Sequence, residues 1–340
     1  MPFANYAIFC EMLDRARKNH FAYPAFNVTS LTTANAVLKG LAESKSDGII
    51  QISTGGGAFA SGSSVKDMAV GAMSIAEHVH RVADRYPIYV GLNTDHCTAG
   101  NLEKFVIPLV EETEKRRAAG KPNLFTAHMF DGSALPLNEN LDIAAKLLER
   151  FRKSELILEI EAGVVGGEED GIKASASAKL YTTPEDTLEV ARRLNPIGAR
   201  YLLAATFGNV HGVYKPGHVK LKPSILKDCQ DAAVKQYGEE ARFYLVFHGG
   251  SGSSIEEIHA AVDYGVVKMN IDTDTQYAFT RAIADHMFKN YNGVLKVDGD
   301  VGNKKTYDPR EYLAAAEKAM AERVKQAVTE LRGPGTTMMK

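Results

Sequence analysis

Short apolar runs alternate along the chain with longer amphipathic stretches. The short runs are rich in β-branched and aromatic residues, and continuous runs of this length are typical of strands buried on both faces of a parallel sheet. We predict eight strands, at residues 22–27, 49–53, 88–92, 124–129, 155–161, 201–207, 243–248 and 266–272.

The stretches between the predicted strands have the apolar spacing of helices that pack one face against a sheet. One helix start is explicit, because Thr183 suits the cap, Pro184 suits the first helical position, and two acids follow where the helix dipole favours negative charge. The predicted helices include residues 31–42, 65–83, 102–117, 139–151, 184–194 and 275–288.

The alternation of strand and helix also predicts the fold. Eight strand–helix units indicate a (β/α)8 barrel, the TIM barrel, more than a doubly wound open sheet. After the eighth strand the sequence predicts a loop at residues 290–309 and a last helix at residues 312–331. We therefore predict an α/β protein in which residues 1–340 form a single barrel domain, with a C-terminal helical extension from about residue 290.

Composition and charge narrow the class of protein. The 340 residues are 45% hydrophobic, and 40 Lys and Arg against 42 Asp and Glu leave a net charge of −2, without the basic bias typical of binding to nucleic acid or an anionic membrane. No apolar run reaches the roughly 18 residues of a membrane span, and the first residues lack the order of a signal peptide. The three cysteines have no C-x-x-C spacing and fit a reducing compartment. These features predict a cytoplasmic enzyme.

Polar residues follow the predicted strands at their C-terminal ends, where enzymes with this fold carry their chemistry. His96, His211 and His248 each follow a strand directly or within a few residues, so all three can converge over the barrel mouth. Three imidazoles with no cysteine partner suit Zn²⁺ or a similar divalent ion with one open coordination position. The alternative is a set of hydrogen-bonded rim histidines, but the acids beside them favour the metal.

Two glycine-rich loops follow strands, at residues 53–57 and 249–254. Glycine lets backbone N–H groups approach an anion closely, and a helix N-terminus beyond such a loop favours phosphate. The alternative for each loop is a tight turn that needs glycine for a positive φ. Together, the two loops indicate a substrate with two phosphates.

A third loop, at residues 163–179, contains Glu168, Glu169 and Asp170 between glycines. This arrangement is consistent with a mobile lid that brings a base to the substrate. The alternative is an ordinary solvated run of charge.

Seven segments together resemble the class II, metal-dependent fructose-bisphosphate aldolases, in particular their longer subgroup. The resemblance extends from near residue 20 to past residue 310 with few gaps, and seven segments in the family's order are far more specific than any one motif. The matching segments are residues 51–56, 94–97, 165–171, 207–217, 248–253, 268–276 and 307–310.

The resemblance implies reversible cleavage of fructose 1,6-bisphosphate to dihydroxyacetone phosphate and glyceraldehyde 3-phosphate, a step of glycolysis and gluconeogenesis. It implies a catalytic Zn²⁺ on His96, His211 and His248, which stabilises the enediolate as a Lewis acid. It further implies an alternate metal position at Asp131 and Glu161, and a monovalent cation, Na⁺ or K⁺, near Gly212 and Ser251. Phosphosugar substrates and a homodimer or homotetramer belong to the same expectation.

The resemblance also implies roles for individual residues. Asp95 would exchange the proton of the C4 hydroxyl, and Glu169 on the lid would exchange the proton of the enediolate carbon, with Glu168 as the second choice. The substrate contacts that the resemblance implies are Gly212, Gly249, Ser251, Asn270, Asp272 and Thr273 at the ketose-phosphate end, Asn35 at the middle, and Ser53 and Arg310 at the far phosphate.

Other functions remain open at this level. Lys268 lies two and four residues before Asn270 and Asp272, so all three side chains are expected on the same side of the strand, inside the barrel. A lysine there could form a Schiff base with a ketose, but this route leaves three histidines unexplained. A zinc hydrolase would not need two phosphate loops, and a non-enzymatic phosphosugar-binding protein would not need Asp95 or Glu169. Tagatose 1,6-bisphosphate, or another stereoisomer, is the closest alternative substrate.

Overall fold

The computed structural model describes residues 2–163, 166–169, 172–173, 181–211, 221–295 and 301–339, and at 166–169, 172–173 and 210–211 it describes the backbone alone. Within these residues, the strands are β1 Tyr23–Asn27, β2 Gly48–Ile52, β3 Val90–Thr94, β4 Ala127–Phe130, β5 Ile157–Ala162, β6 Gly166–Glu169, β7 Ile172–Lys173, β8 Tyr201–Ala205, β9 Val210–His211, β10 Leu245–Phe247 and β11 Val266–Ile271. Eight of them are parallel and close into a barrel in the order β1-β2-β3-β4-β5-β8-β10-β11, and three short strands form a separate sheet in the order β7-β6-β9.

Each predicted strand overlaps one barrel strand, which confirms the (β/α)8 prediction. The α-helices in the described part of the chain are α1 Tyr6–Asn19, α2 Leu31–Glu43, α3 Thr54–Ala60, α4 Met68–Val82, α5 Val106–Ala118, α6 Leu137–Lys153, α7 Pro184–Leu194, α8 Ser224–Tyr237, α9 Ile255–Asp263, α10 Thr273–Lys289, α11 Tyr291–Val294, α12 Lys304–Tyr307 and α13 Pro309–Glu330.

The predicted helices are present, with corrections at two places. The start of α7 is as predicted, because the Thr183 hydroxyl accepts from the backbone N–H of Asp186 and the Asp186 carboxylate accepts from the N–H of Thr183. The continuous loop predicted at residues 290–309 was wrong, since its described part contains α11 and α12. Residues 54–60, which follow Ser53 in the first glycine-rich loop, form α3.

Helix α1 closes the N-terminal end of the barrel. Its side chains Phe9, Met12 and Leu13 are fully buried and pack with the apolar side chains of the barrel interior, among them Tyr23 and Ile157. The barrel interior is therefore apolar at the N-terminal ends of the strands, and its polar side chains lie farther toward the C-terminal ends.

Helix α13, in the C-terminal extension, packs against α2 and α10. The approach of α2 is very close at Gly40, where a Cβ atom would lie 2.6 Å from the Cβ of Val324. Glycine at this position therefore lets the extension lie directly on the barrel. In the described part of the chain, no helix combines the length and the apolar character that crossing a bilayer requires.

Candidate active site

The interior of the barrel changes from apolar to polar along each strand. Successive side chains of a strand alternate in direction, so Asn27 shares the side of Ala25, and Glu159 shares the side of Ile157. These polar side chains and their neighbours lie in the middle of the strands or toward their C-terminal ends. The buried ones are Asn27, Gln51, Asn93, Asp95, Glu159, Glu161, His248 and Lys268, and Asn270 beside them is half-buried.

Two of the three predicted histidine ligands, His96 and His248, lie together beside these polar side chains. Nε2 of His96 lies 2.8 Å from Nδ1 of His248. The other nitrogen of each ring contacts a carboxylate, with His96 Nδ1 3.0 Å from Asp131 and His248 Nε2 2.8 Å from Glu159. His96 has φ +24°, a backbone conformation that is uncommon outside glycine and is held here by the surrounding structure.

The arrangement around His248 extends to Lys268. Nζ of Lys268 donates to both carboxylate oxygens of Glu159, at 2.7 and 3.0 Å, and the three side chains are almost completely buried. Burial would raise the pKa of Glu159, but the charge of Lys268 and the hydrogen bond to His248 hold that pKa at about 2. Glu159 is therefore an ionised acceptor that orients the His248 ring.

The donors around these rings fit a divalent metal. Ligand atoms of Asp95, His96 and His248 lie within 4.8 Å of one another, and so do those of His96, Asp131 and Glu161. Metal-binding histidines usually donate their second N–H to a carboxylate, as the outer nitrogens of both rings are placed to do here. Burial lowers the pKa of His248, which favours the neutral imidazole that binds a metal.

Asp131 and Glu161 lie on one side of His96. Burial would raise the pKa of Asp131, but the hydrogen bond from His96 holds it well below the usual range of aspartate. A carboxylate oxygen of Glu161 lies 3.9 Å from Nδ1 of His96. The two acids predicted for an alternate metal position are thus brought together beside the first histidine.

Asp95 is held by two asparagine side chains. Nδ2 of Asn27 donates to one carboxylate oxygen at 2.8 Å and Nδ2 of Asn270 donates to the other at 2.9 Å. The side-chain amide of Gln51 donates in turn to the side-chain oxygen Oδ1 of Asn27 at 2.6 Å, so the amide orientation of Asn27 is fixed. Asp95 is 1% exposed, and Nε2 of His96 lies 4.0 Å from it. The carboxylate is thus aimed at the same point as the histidines.

Asn27 is a site residue that the sequence analysis missed. It lines the cavity at the barrel mouth, whereas Asn35, the residue chosen from the sequence, lies on α2 with its side-chain oxygen 2.8 Å from Nε2 of His78. The alternation of side chains along β1 would have indicated Asn27. It is two residues after Ala25, which faces the barrel interior, and it is the last residue of the strand.

The cavity at the mouth has a volume of about 450 Å³ and is bounded by the loop after β10 and the segment after β11. We call residues 249–253 and 270–274 the β10–β11 rim. The predicted residues Gly249, Ser251, Asn270, Asp272 and Thr273 all line this cavity, and Thr273 begins α10.

Two predicted residues of the far-phosphate site lie outside the described lining of this cavity. Ser53 is nearly buried and caps α3, where its hydroxyl accepts from the N–H of Gly56 at 3.1 Å. Arg310 lies in the first turn of α13, is 86% exposed and pairs with Asp308 at 2.6 Å. The structure of this single chain therefore does not bring Arg310 to the histidines.

The side chains of His211 and Glu169, and all of Gly212, lie outside what the structure describes. The backbone of their segments is described in part. Gly167 pairs with His211 in the parallel β6–β9 ladder, and Glu169 pairs with Ile172 in the β6–β7 hairpin. The acidic loop therefore lies alongside the backbone of the third histidine.

Comparison with known proteins yields one family. The model of class-II fructose-bisphosphate aldolases matches residues 8–336. A Mycobacterium leprae protein named fructose-bisphosphate aldolase is 54% identical over 345 residues, covering 99% of both chains. A protein of the same name from Corynebacterium glutamicum is 53% identical over 347 residues, covering 100% of both. The crystal structure of a Campylobacter jejuni fructose-bisphosphate aldolase has a TM-score of 0.86 at 38% identity, covering 98% of this chain and 97% of that one.

Proposed function

The chain belongs to the class II fructose-bisphosphate aldolase family and is therefore an aldolase, which is a lyase. From the family and from the site we propose that it cleaves fructose 1,6-bisphosphate reversibly to dihydroxyacetone phosphate and glyceraldehyde 3-phosphate. The observation that carries the proposal is the grouping of His96, His248 and Asp95 at the mouth of a barrel that also presents the β10–β11 rim.

His96 and His248 would hold the catalytic Zn²⁺, with His211 as the third ligand and Asp131 and Glu161 available to an alternate position. When bound, Zn²⁺ supplies a Lewis acid that stabilises negative charge developing on the ketose oxygens. Glu159 and Asp131 orient the two rings so that Nε2 of His96 and Nδ1 of His248 face one point.

Asp95 would take the proton of the C4 hydroxyl during cleavage and return it during synthesis. Both of its oxygens accept amide hydrogen bonds, from Asn27 and Asn270, which fixes the carboxylate plane without using all of its lone pairs. Asn35, the residue that the resemblance implied, would contact the middle of the substrate, and Asn27 would do so from the cavity lining. Glu169, or its neighbour Glu168, would exchange the proton of the carbon that becomes nucleophilic.

The ketose phosphate would bind at the β10–β11 rim. Gly249 and Ser251 supply backbone N–H donors, and α10, a helix of 17 residues that begins at Thr273, directs its N-terminal dipole to the same cavity. A Na⁺ or K⁺ ion near Gly212 and Ser251, and Ser53 at the far phosphate, complete the proposed site.

The remaining parts of the proposal concern the protein as a whole. We propose a single domain over residues 1–340, a cytoplasmic role in glycolysis and gluconeogenesis, and a homodimer or homotetramer. The exposed aromatic side chains of Tyr277, Phe288 and Tyr291 on α10 and α11 support a subunit contact at that surface.

Substrate choice is tested by comparing turnover of fructose 1,6-bisphosphate and tagatose 1,6-bisphosphate by the zinc-loaded enzyme. We expect kcat/KM to favour the fructose isomer by at least about 10²-fold, since a site that hydrogen-bonds one hydroxyl leaves groups unpaired with its epimer. Equal or reversed preference would assign the chain to the stereoisomeric substrate. Hydrolysis without aldol cleavage would favour the zinc hydrolase, and binding without turnover the phosphosugar-binding protein.

The Schiff-base alternative predicts a covalent adduct at Lys268. We expect none, because Lys268 has no exposed surface and its Nζ makes two hydrogen bonds to ionised Glu159. Borohydride added with dihydroxyacetone phosphate should leave activity and the mass of the chain unchanged. Irreversible loss of activity with a mass increase on the peptide containing Lys268 would contradict the metal route.

For Arg310 we expect a loss that depends on the substrate. In the proposed oligomer, the exposed guanidinium of Arg310 binds the far phosphate in the site of a neighbouring subunit. Arg310→Ala should then lower kcat/KM for the bisphosphate, with a loss of transition-state stabilisation of about 2–4 kcal/mol. Proton exchange on dihydroxyacetone phosphate, which lacks that phosphate, should barely change. Equal loss in both assays would make Arg310 a structural residue that only caps α13 with Asp308.

A further inference from the structure

The cavity bounded by the β10–β11 rim is lined by more negative than positive charge. Among the described residues around the cavity, the carboxylates of Asp95, Asp272, Asp274 and Glu330 face a single cation, Arg323. A phosphate dianion entering this cavity would be repelled by the acids, since like charges at short range are unfavourable in a partly buried site. The one cation in the described lining therefore matters for the ligand.

Arg323 is joined to the rim through Asp274. Nη2 of Arg323 donates to one oxygen of Asp274 at 2.7 Å and to Glu330 at 3.1 Å. The other oxygen of Asp274 accepts from the hydroxyl of Ser251 at 3.1 Å. The chain Ser251–Asp274–Arg323 thus runs from the proposed phosphate contact to helix α13 of the C-terminal extension.

The guanidinium is largely buried at the edge of the cavity. The side chain of Arg323 is 18% exposed, and its Nη1 is buried with no hydrogen-bond partner among the described side chains and backbone. Because Nη1 is buried and Nη2 already donates to Asp274 and Glu330, Arg323 would act on a phosphate through its charge and through Asp274.

We propose that Arg323 is a positioning residue of the phosphate site: it neutralises Asp274 and holds it as the acceptor of the Ser251 hydroxyl, so that the rim tolerates a phosphate dianion. This inference rests on the proposed function, in which the ketose phosphate occupies the β10–β11 rim. It gives the C-terminal extension a part in substrate binding, although α13 lies outside the eight strand–helix units.

The test is calorimetric titration of the zinc-loaded enzyme with inorganic phosphate and with dihydroxyacetone phosphate. Arg323→Met keeps the length of the side chain and removes its charge, and we expect it to weaken both ligands about 10- to 100-fold, the order that Coulomb's law gives for one close charge in a partly buried site. Arg323→Lys should stay within a few-fold of the wild type. The double variant Arg323→Met/Asp274→Asn, which removes both charges, should recover most of the lost affinity.

A matched control is Arg332→Met, since Arg332 pairs with Asp263 on the surface and does not line the cavity. It should lose no affinity for phosphate. Unchanged phosphate affinity in Arg323→Met would overturn the proposal. So would a double variant that binds as poorly as Arg323→Met, because Arg323 would then only support the packing of α13.

The kinetic consequences separate this inference from the proposed function. Arg323→Met should raise KM for fructose 1,6-bisphosphate and for proton exchange on dihydroxyacetone phosphate alike, with little change in kcat, because both ligands carry the ketose phosphate. If the wild-type enzyme cleaved no ketose bisphosphate, the proposed function would fail. The titrations with inorganic phosphate would still decide whether Arg323 supports anion binding through Asp274.

Discussion

Chelation of divalent metal abolishes aldol cleavage by this enzyme, and added Zn²⁺ or Co²⁺ restores it; this is the largest effect we expect. Nε2 of His96 and Nδ1 of His248 face each other at 2.8 Å, while carboxylates hold the opposite nitrogens. A metal Lewis acid is worth several kcal/mol of charge stabilisation, and each 1.36 kcal/mol is tenfold in rate, so we expect a loss of at least about 10³-fold.

The same loss should follow when either ring is removed. His96→Ala and His248→Ala should lower bound zinc, measured by atomic emission, together with activity. His20→Asn is the matched control, because His20 lies on the surface at the end of α1 and asparagine tolerates its left-handed backbone. Full turnover by rigorously metal-free enzyme would refute the zinc mechanism.

The second large effect is expected for Asp95→Asn. The variant replaces one acceptor oxygen with an NH₂ group that must face the amide donor of Asn27 or Asn270, and it removes the base. A well-placed general base contributes about 10²–10⁴-fold, so kcat should fall by that factor while the zinc content stays the same.

Two measurements make this expectation specific. Asp47→Asn removes another buried carboxylate, one that accepts from the backbone of Tyr89 and Met338 far from the cavity lining, and should lower thermal stability without lowering kcat. If Asp95→Asn instead lost zinc in proportion to its activity, Asp95 would be a metal ligand. Near-normal kcat would exclude it as the base.

The sequence predicted the architecture because the relevant signals are local. Buried strands are short apolar runs, and amphipathic helices separate them. The helix cap at Thr183 depends on only four consecutive residues. Local signals also explain why His96 and His248 lie together, since residues that follow parallel strands are carried to the same end of a barrel.

Asn27 shows what local reasoning leaves out. Its side chain donates to Asp95, whereas Asn35, the residue that the resemblance implied for the middle of the substrate, lies on α2 with its side-chain oxygen 2.8 Å from Nε2 of His78. The position of a residue in the sequence does not determine which groups its side chain contacts.

By itself, the sequence determined the barrel, the polar end of the barrel and the family of chemistry at that end. Only the tertiary structure decided which groups meet: that Lys268 pairs with Glu159 and so fixes His248, and that Arg323 from the last long helix supports Asp274. The physical reason is the sequence separation of the residues that interact. A strand or a cap depends on residues a few positions apart, whereas the partners of a buried charge come from segments 49 to 109 residues away and are selected by the packing of the whole barrel.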